Sequence, residues 1–150
     1  MTSVTYGHIA LCFKNTGEWE QAFENVDLAI DVSAQNSLDA ILAHSYFHKA
    51  SIYFEQASRL QNDDIETKKL TLMPSLDFLS KSEAIFRAID KQKFLLRIEC
   101  LRGSIFNRLN EFESAINHWK NALSIINELQ QKDSEPSVFF RIYNFFGQIF

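Results

Sequence analysis

The chain has 150 residues, of which 46% are hydrophobic and 23% are charged, and its formal net charge is −4 at pH 7. This size and composition predict one ordinary soluble domain that is neither disordered nor membrane-spanning. Binding to phosphate needs a basic face, and no Lys/Arg cluster is dense enough to form one, so we expect no nucleic-acid partner. The chain starts without a charged-then-apolar signal segment, which favours a cytoplasmic location, with a nuclear one as the alternative.

Apolar residues recur at helical spacing along nearly the whole chain and predict an all-α fold of about seven helices. The first two helices are expected over residues 3–15 and 18–34. The third helix is expected to continue to Leu60, and the fourth to begin near Ile65 and to be kinked or restarted by Pro74.

In the second half of the chain, helical spacing over 98–106 and 112–126 predicts the fifth and sixth helices, joined by a turn at 108–111. A polar segment at 130–136 separates them from an expected last helix at 138–150. No Gly/Ser linker or low-complexity tract divides the chain, so a single domain is expected.

A pattern of small and aromatic residues repeats along these helices. Its clearest copy consists of Gly103, Phe106, Ala115, Trp119 and Ala122. Gly and Ala let two helices approach closely while the rings fill the gaps, so the pattern predicts packed helix hairpins. The copies elsewhere, whole or partial, are Tyr6, Ala10, Phe13, Gly17, Trp19, Ala22, Val26 and Ala29; Tyr46, Ala50, Tyr53, Ser75, Leu79 and Ser82; and Tyr143, Phe146, Gly147 and Phe150.

This pattern resembles the tetratricopeptide repeat, in which a Gly or Ala, an aromatic residue, and then Ala, a bulky residue and Ala stand at fixed offsets. The units are about 3–36, 37–90 with an insertion, 92–132 and a half unit at 135–150. They are about 40 residues long against roughly 34 in the usual repeat, which resembles the longer-repeat subclasses of the family. The resemblance implies a right-handed superhelical stack of antiparallel helix hairpins, an α-solenoid.

In this family the first helices of successive units line a concave groove, so the resemblance implies a peptide-binding groove here. Amide side chains there can bond a peptide backbone and arginines can bond carboxylates, which favours an acidic peptide. The alternative is that the arginines are surface residues paired with local acids such as Glu99 and Glu111. The residues assigned to the groove are Lys14, Asn15, His44, Phe47, Ser51, Arg97, Ser104, Asn107, Arg108, Arg141, Asn144 and Gln148.

The sequence lacks the motifs of catalysis: it has no serine elbow, phosphate-cradling glycine loop, paired-carboxylate motif or CxxC pair. We therefore expect neither an enzyme nor a bound cofactor. His44 and His48 have the spacing of a zinc pair but no third ligand, and His118 has no acid partner at a spacing that would orient a catalytic imidazole. Cys12 and Cys100 are expected to be reduced thiols in the core.

The expected function is a protein–protein interaction module or scaffold that binds a peptide or a partner helix in the groove. Two alternatives stay open: a structural assembly or dimerisation segment of a larger array, and a peptide-sensing regulatory domain. A helix at 138–150 would be apolar around nearly its whole circumference, and such a helix needs burial on two sides. We expect it to continue a longer array, because the pattern stops in mid-unit, with contact to another molecule or a second copy as the alternative.

Overall fold

The computed structural model describes residues 1–60 and 64–132, and in this part of the chain every regular element is helical, with no strand. The all-α prediction is confirmed there, and the expected helix at 138–150 lies outside the described residues. None of the described helices is long and apolar enough to cross a membrane. The helices are α1 (Ser3–Thr16), α2 (Trp19–Gln35), α3 (Asp39–Ser58), α4 (Ile65–Ala88), α5 (Leu95–Arg108) and α6 (Phe112–Lys132), with a 3-10 turn at Gln92–Phe94 before α5.

The chain divides into two compact units. The first, Met1–Asp90, contains α1 to α4, and the second begins at Lys91 and contains α5 and α6. In the described residues the first unit consists of two helix hairpins, α1 with α2 and α3 with α4, and the second contains one, α5 with α6. Their union in a single domain, as one continuous superhelical stack, stays a prediction.

The hairpins of the first unit are antiparallel. Ser3 Oγ, at the start of α1, donates a 2.6 Å hydrogen bond to the carbonyl oxygen of Ala29 near the end of α2. Ser82 Oγ, near the end of α4, donates at 2.7 Å to the carbonyl oxygen of Ala43 near the start of α3. Each pair joins the beginning of one helix to the end of its neighbour, so the two helices of each hairpin run in opposite directions.

The small residues of the repeated pattern lie where helices cross, as predicted. At Gly103 on α5 an added Cβ would overlap the indole ring of Trp119 on α6, so only glycine allows this close approach. Eight further small positions of the pattern carry a methyl or hydroxymethyl group and are fully buried. These buried residues are Ala10, Ala22, Ala29, Ala50, Ser75, Ser82, Ala115 and Ala122.

The turns inside the first and last described hairpins have the same geometry. Gly17 after α1 and Asn110 after α5 are left-handed, with φ of 78° and 61°. In each turn the next residue donates its N–H to the carbonyl of a phenylalanine in the last helical turn, Phe13 at 3.0 Å and Phe106 at 2.9 Å. This Schellman closure satisfies carbonyl groups that the helix end leaves open, and it recurs at matching positions of the repeat.

The insertion in the second unit of the repeat lengthens the helices, as expected. α3 has 20 residues and α4 has 24, against 14 in α1 and 17 in α2. α4 begins at Ile65 and is capped by the preceding Asp64, whose side chain accepts from the N–H of Glu66 at 3.1 Å, and the helix continues through Pro74. The alternative of a second helix that restarts at Pro74 is therefore wrong.

α3 packs on both helices of the first hairpin. Ile52 of α3 is fully buried in a cluster with Ala10 of α1 and Val26 of α2. The rings of Phe23 on α2 and Tyr53 on α3 have centroids 4.6 Å apart. This packing places α1 and α3, the first helices of successive hairpins, beside each other.

Candidate functional site

The candidate site in the first unit is the α1–α3 face, formed by the exposed sides of these two neighbouring helices. The structure brings together two residues predicted for the groove, since Lys14 Nζ donates to Ser51 Oγ at 3.3 Å. Close by, Arg59 Nη2 donates to the carbonyl oxygen of Asn15 at 3.0 Å. These bonds join the end of α1 to the second half of α3, so the two helices run in the same direction.

A cleft opens between the beginnings of α1 and α3, and we call it the histidine cleft. Its volume is about 180 Å³. His44 was assigned to the groove from the sequence, whereas His8 and His48 were not. The lining residues are Ser3, Val4, Gly7, His8, Ile41, His44, Ser45 and His48.

The rings of the cleft are fixed by aromatic packing on its α3 side. His44 meets Phe86 of α4 edge-on, with centroids 5.0 Å apart, and stacks with His48 at 6.4 Å. Phe47, which was assigned to the groove, is only 7% exposed and presents little surface to a ligand. Across the described residues, no group of three or more His, Cys, Asp or Glu side chains is placed to hold a metal ion.

In the second unit, the predicted groove residues fall on α5. Arg97, Ser104 and Arg108 lie on one stripe of that helix, and Asn107 is exposed beside its end. Burial away from water lowers the pKa of the Arg97 guanidinium from its usual value, although the group remains a cation. Ser104 Oγ donates to the carbonyl oxygen of Cys100 at 3.1 Å.

The remaining groove assignments, Arg141, Asn144 and Gln148, lie outside the described residues. The α1–α3 face and the α5 stripe belong to different units, so a groove that joins them stays a prediction.

Glu99, named from the sequence only as an acid that could pair with surface arginines, is a buried carboxylate of the second unit. Glu99 is 8% exposed and accepts hydrogen bonds from Arg102 Nη1 at 2.9 Å, His118 Nδ1 at 2.8 Å and Asn121 Nδ2 at 3.3 Å. The expectation that His118 has no acid partner is therefore wrong. The sequence signal is partial: Glu99 lies one helical turn before Gly103 and so on the side of α5 that faces α6, but which α6 residues meet it depends on how the two helices cross.

The two cysteines differ in environment. Both are free thiols, but Cys12 is exposed and Cys100 is buried, so the expectation of two core thiols is wrong for Cys12. Loss of contact with water, together with the negative charge of Glu99, raises the pKa of Cys100 to about 12. Cys100 is thus a protonated thiol at neutral pH and a poor nucleophile.

A second surface of interest is the α6 stripe, formed by Phe112, Ile116 and Leu123. These side chains are 56%, 48% and 53% exposed and project from one side of α6. On α2 the matching side chains of Trp19 and Phe23 pack against the core cluster that includes a residue of α3. The α6 stripe therefore has the chemistry of a helix-packing surface.

No family model matches the chain, and no curated protein is detectably similar to it in sequence. Membership of the tetratricopeptide repeat family accordingly stays a prediction that depends on the repeated residues.

Proposed function

We propose that the protein is an interaction module of the tetratricopeptide type, which binds a peptide or a partner helix along the α1–α3 face. The observation that carries this proposal is the side-by-side, parallel arrangement of α1 and α3, with a cleft and polar side chains between them. Two neighbouring helices with a depression along their contact suit an extended peptide or the face of a third helix.

The α1–α3 face is held in shape by contacts that do not depend on a ligand. The Lys14–Ser51 bond and the Arg59 bond to Asn15 tie the two helices at one end. Beneath them the cluster that contains Ile52 is fully buried. A preformed face loses little conformational freedom on binding, so weak polar contacts can produce useful affinity. The proposed role of the protein is therefore to bind its partner, with neither a catalytic step nor a cofactor.

The test is selection of peptides on the full chain from a displayed random library, followed by fluorescence anisotropy with a selected peptide. Lys14→Glu places the opposite charge on the α1–α3 face and is expected to weaken an acidic peptide by roughly tenfold, about 1.4 kcal/mol. Lys69→Glu is the matched control, because Lys69 is exposed on α4. Equal effects of the two reversals, or no selected peptide at all, would contradict the proposal.

The α5 stripe is tested with the same peptide. If the groove extends to the second unit, Arg97→Ala together with Arg141→Ala should also reduce affinity, since both residues were assigned to it. An unchanged affinity would confine peptide binding to the first unit.

A second candidate function is that of a structural segment in a larger array of helices, and the exposure of the α6 stripe favours it, because the next helix of such an array would cover the stripe. We propose that the expected helix at 138–150 is the occupant, because its sequence repeats the first-helix pattern of α3, in which Tyr53 packs against Phe23 of α2. Leu123→Glu in the full chain should then lower the urea midpoint of unfolding. Leu70→Glu is the control, because Leu70 is 78% exposed on α4. Equal midpoints for the two variants would exclude this occupant, and a dimer mass in light scattering would indicate a second copy.

A further inference from the structure

His8 and Cys12 form a pair of metal-binding side chains on the exposed side of α1. Both residues are exposed, and Cys12 is a free thiol. They are four residues apart inside one α-helix, so their side chains lie on the same face, one turn apart. A sulfur and an imidazole nitrogen at this spacing can reach one ion, as the two histidines of helical zinc sites do. The pair is thus half of a metal site.

One chain does not complete this site. Structural zinc sites are tetrahedral and are closed by four Cys or His ligands, commonly two of each. In the part of the chain that the structure describes, no third His, Cys, Asp or Glu side chain joins the pair to form a metal-binding group. The two missing ligands must come from another molecule, and a second copy of this chain supplies one sulfur and one imidazole with the same spacing.

The side of α1 around the pair carries no charge when His8 is neutral, which is the form that binds a metal. The exposed residues of this helix are Val4, Thr5, His8, Cys12, Asn15 and Thr16. By contrast, α2 exposes Glu20, Glu24 and Asp31. The chain has a formal net charge of −4, so two copies repel each other, and an uncharged side is the least costly one to bring together.

We propose that one Zn²⁺ joins two copies of this chain through His8 and Cys12 of each copy. A two-fold axis through the ion brings the same two residues of the second copy to the remaining ligand positions, and this is the commonest symmetry of protein oligomers. Each thiol releases its proton to solvent on binding, so two thiolates and Zn²⁺ form a site without net charge. The zinc is structural, and the dimer goes beyond the proposed peptide binding and does not depend on it.

The test is titration of Zn²⁺ alone into the full chain, first freed of metals with a chelator, with light scattering as the readout. We expect the molar mass to double, with saturation at one zinc per two chains and return to the starting mass after EDTA. Co²⁺ in place of Zn²⁺ should give the intense visible absorption of tetrahedral coordination and a thiolate charge-transfer band in the near ultraviolet. Zinc should also slow the alkylation of Cys12 by iodoacetamide at least several-fold.

Variants of the pair separate a ligand role from other effects at this surface. His8→Ala and Cys12→Ser should each abolish the zinc-dependent doubling of mass, and both should fold, because the two positions are exposed. Cys100→Ala is the matched control, since Cys100 is buried and its loss should leave the zinc response unchanged. His8→Cys exchanges one zinc ligand for another and should keep the dimer.

Three results would overturn the proposal. They are a mass that zinc leaves unchanged, saturation at one zinc per chain, and a wild-type zinc response in His8→Ala or Cys12→Ser, which would place the metal elsewhere. The peptide titration with Lys14→Glu can be run in EDTA, so failure of the zinc site and failure of the interaction module are distinguishable.

Discussion

Ser82 and Ser3 make the same hydrogen bond from opposite sides of the helix crossing. In the second hairpin Ser82, on the second helix, donates to the carbonyl of Ala43 on the first. In the first hairpin Ser3, on the first helix, donates to the carbonyl of Ala29 on the second. Ser3 and Ala43 occupy the same position of the repeat, and so do Ala29 and Ser82. Each crossing therefore pairs one serine hydroxyl with the carbonyl of one alanine.

This relationship predicts the effect of removing one hydroxyl. Ser82→Ala should lower the free energy of unfolding by about 1 kcal/mol, the usual net value of such a bond, because Ser82 is fully buried. Urea denaturation measures the change. Ser124→Ala, at an exposed position of α6, should stay within about 0.5 kcal/mol of the wild type. A Ser82→Ala variant as stable as the Ser124→Ala control would show that the buried bond contributes nothing.

Gly7 and Gly103, the two glycines inside the described helices, should respond in opposite directions to replacement by alanine. Gly103→Ala forces a methyl group into the Trp119 indole and is expected to lower stability by about 1–3 kcal/mol. Gly7→Ala meets open space and should raise stability by about 0.5–1 kcal/mol through helix propensity. Thermal and urea unfolding of the two variants checks both signs. A destabilised Gly7→Ala variant would mean that the cleft is closed in solution.

Loss of the Glu99 carboxylate should be costly. Glu99→Ala leaves Arg102, whose side chain is 12% exposed, without this carboxylate partner, and we expect a loss of about 3 kcal/mol. Glu83→Ala removes the corresponding partner of Arg87, whose side chain is 61% exposed, and should lose only about 0.5 kcal/mol. Urea unfolding of both variants gives the comparison. Similar losses would imply that water screens the Glu99 pair as well as it screens the exposed one.

The cysteines should differ in reactivity. Iodoacetamide at pH 8 should alkylate exposed Cys12, while buried Cys100 should react only after unfolding. Intact mass spectrometry of the native and urea-unfolded chain counts the modifications. Cys12→Ser should abolish native labelling, and Cys100→Ser should leave it unchanged. Native labelling of the Cys12→Ser variant would contradict the burial of Cys100.

The raised pKa of Cys100 also predicts a dependence of stability on pH. Its folded value of about 12 lies above the ordinary value of 9.0, so above pH 9 the unfolded thiol loses its proton while the folded thiol keeps it. The contribution of the protonated Cys100 thiol to folding stability is complete below pH 9 and is lost progressively as the pH rises toward 12. Urea unfolding above pH 9 should show a shallower decline in Cys100→Ala than in the wild type. If the stability of the two proteins declined equally with pH, Cys100 would not be the source of the wild-type decline.

The helices were predictable because their signals are local. Spacing of apolar residues and the turn chemistry at Gly17 and Asn110 act within a few residues, and the observed bounds of α1 and α2 lie within one residue of the predicted ones. α6 begins at Phe112 as predicted but continues six residues past the predicted end, to Lys132. Burial around a helix was less predictable, because α1 carries apolar residues on several sides. Val4 is 45% exposed while Ala10 is fully buried.

The candidate sites were harder to predict because they join residues of different helices. The repeat pattern predicts Lys14 and Ser51 in one groove, and the structure brings them into contact. The pattern omits His8, because the cleft requires knowledge that the beginnings of α1 and α3 meet. The Glu99–His118 bond likewise depends on the relative position of two antiparallel helices.

The contrast between the two thiols gives the chain a built-in attachment point for a fluorescent reporter. A maleimide dye should react with Cys12 alone, since Cys100 is shielded and the sequence has no other cysteine. Cys12 follows His8 by one helical turn, about 6 Å along α1. A dye there would lie near the α1–α3 face, so arrival of a peptide could be followed by changes in emission without any engineered residue.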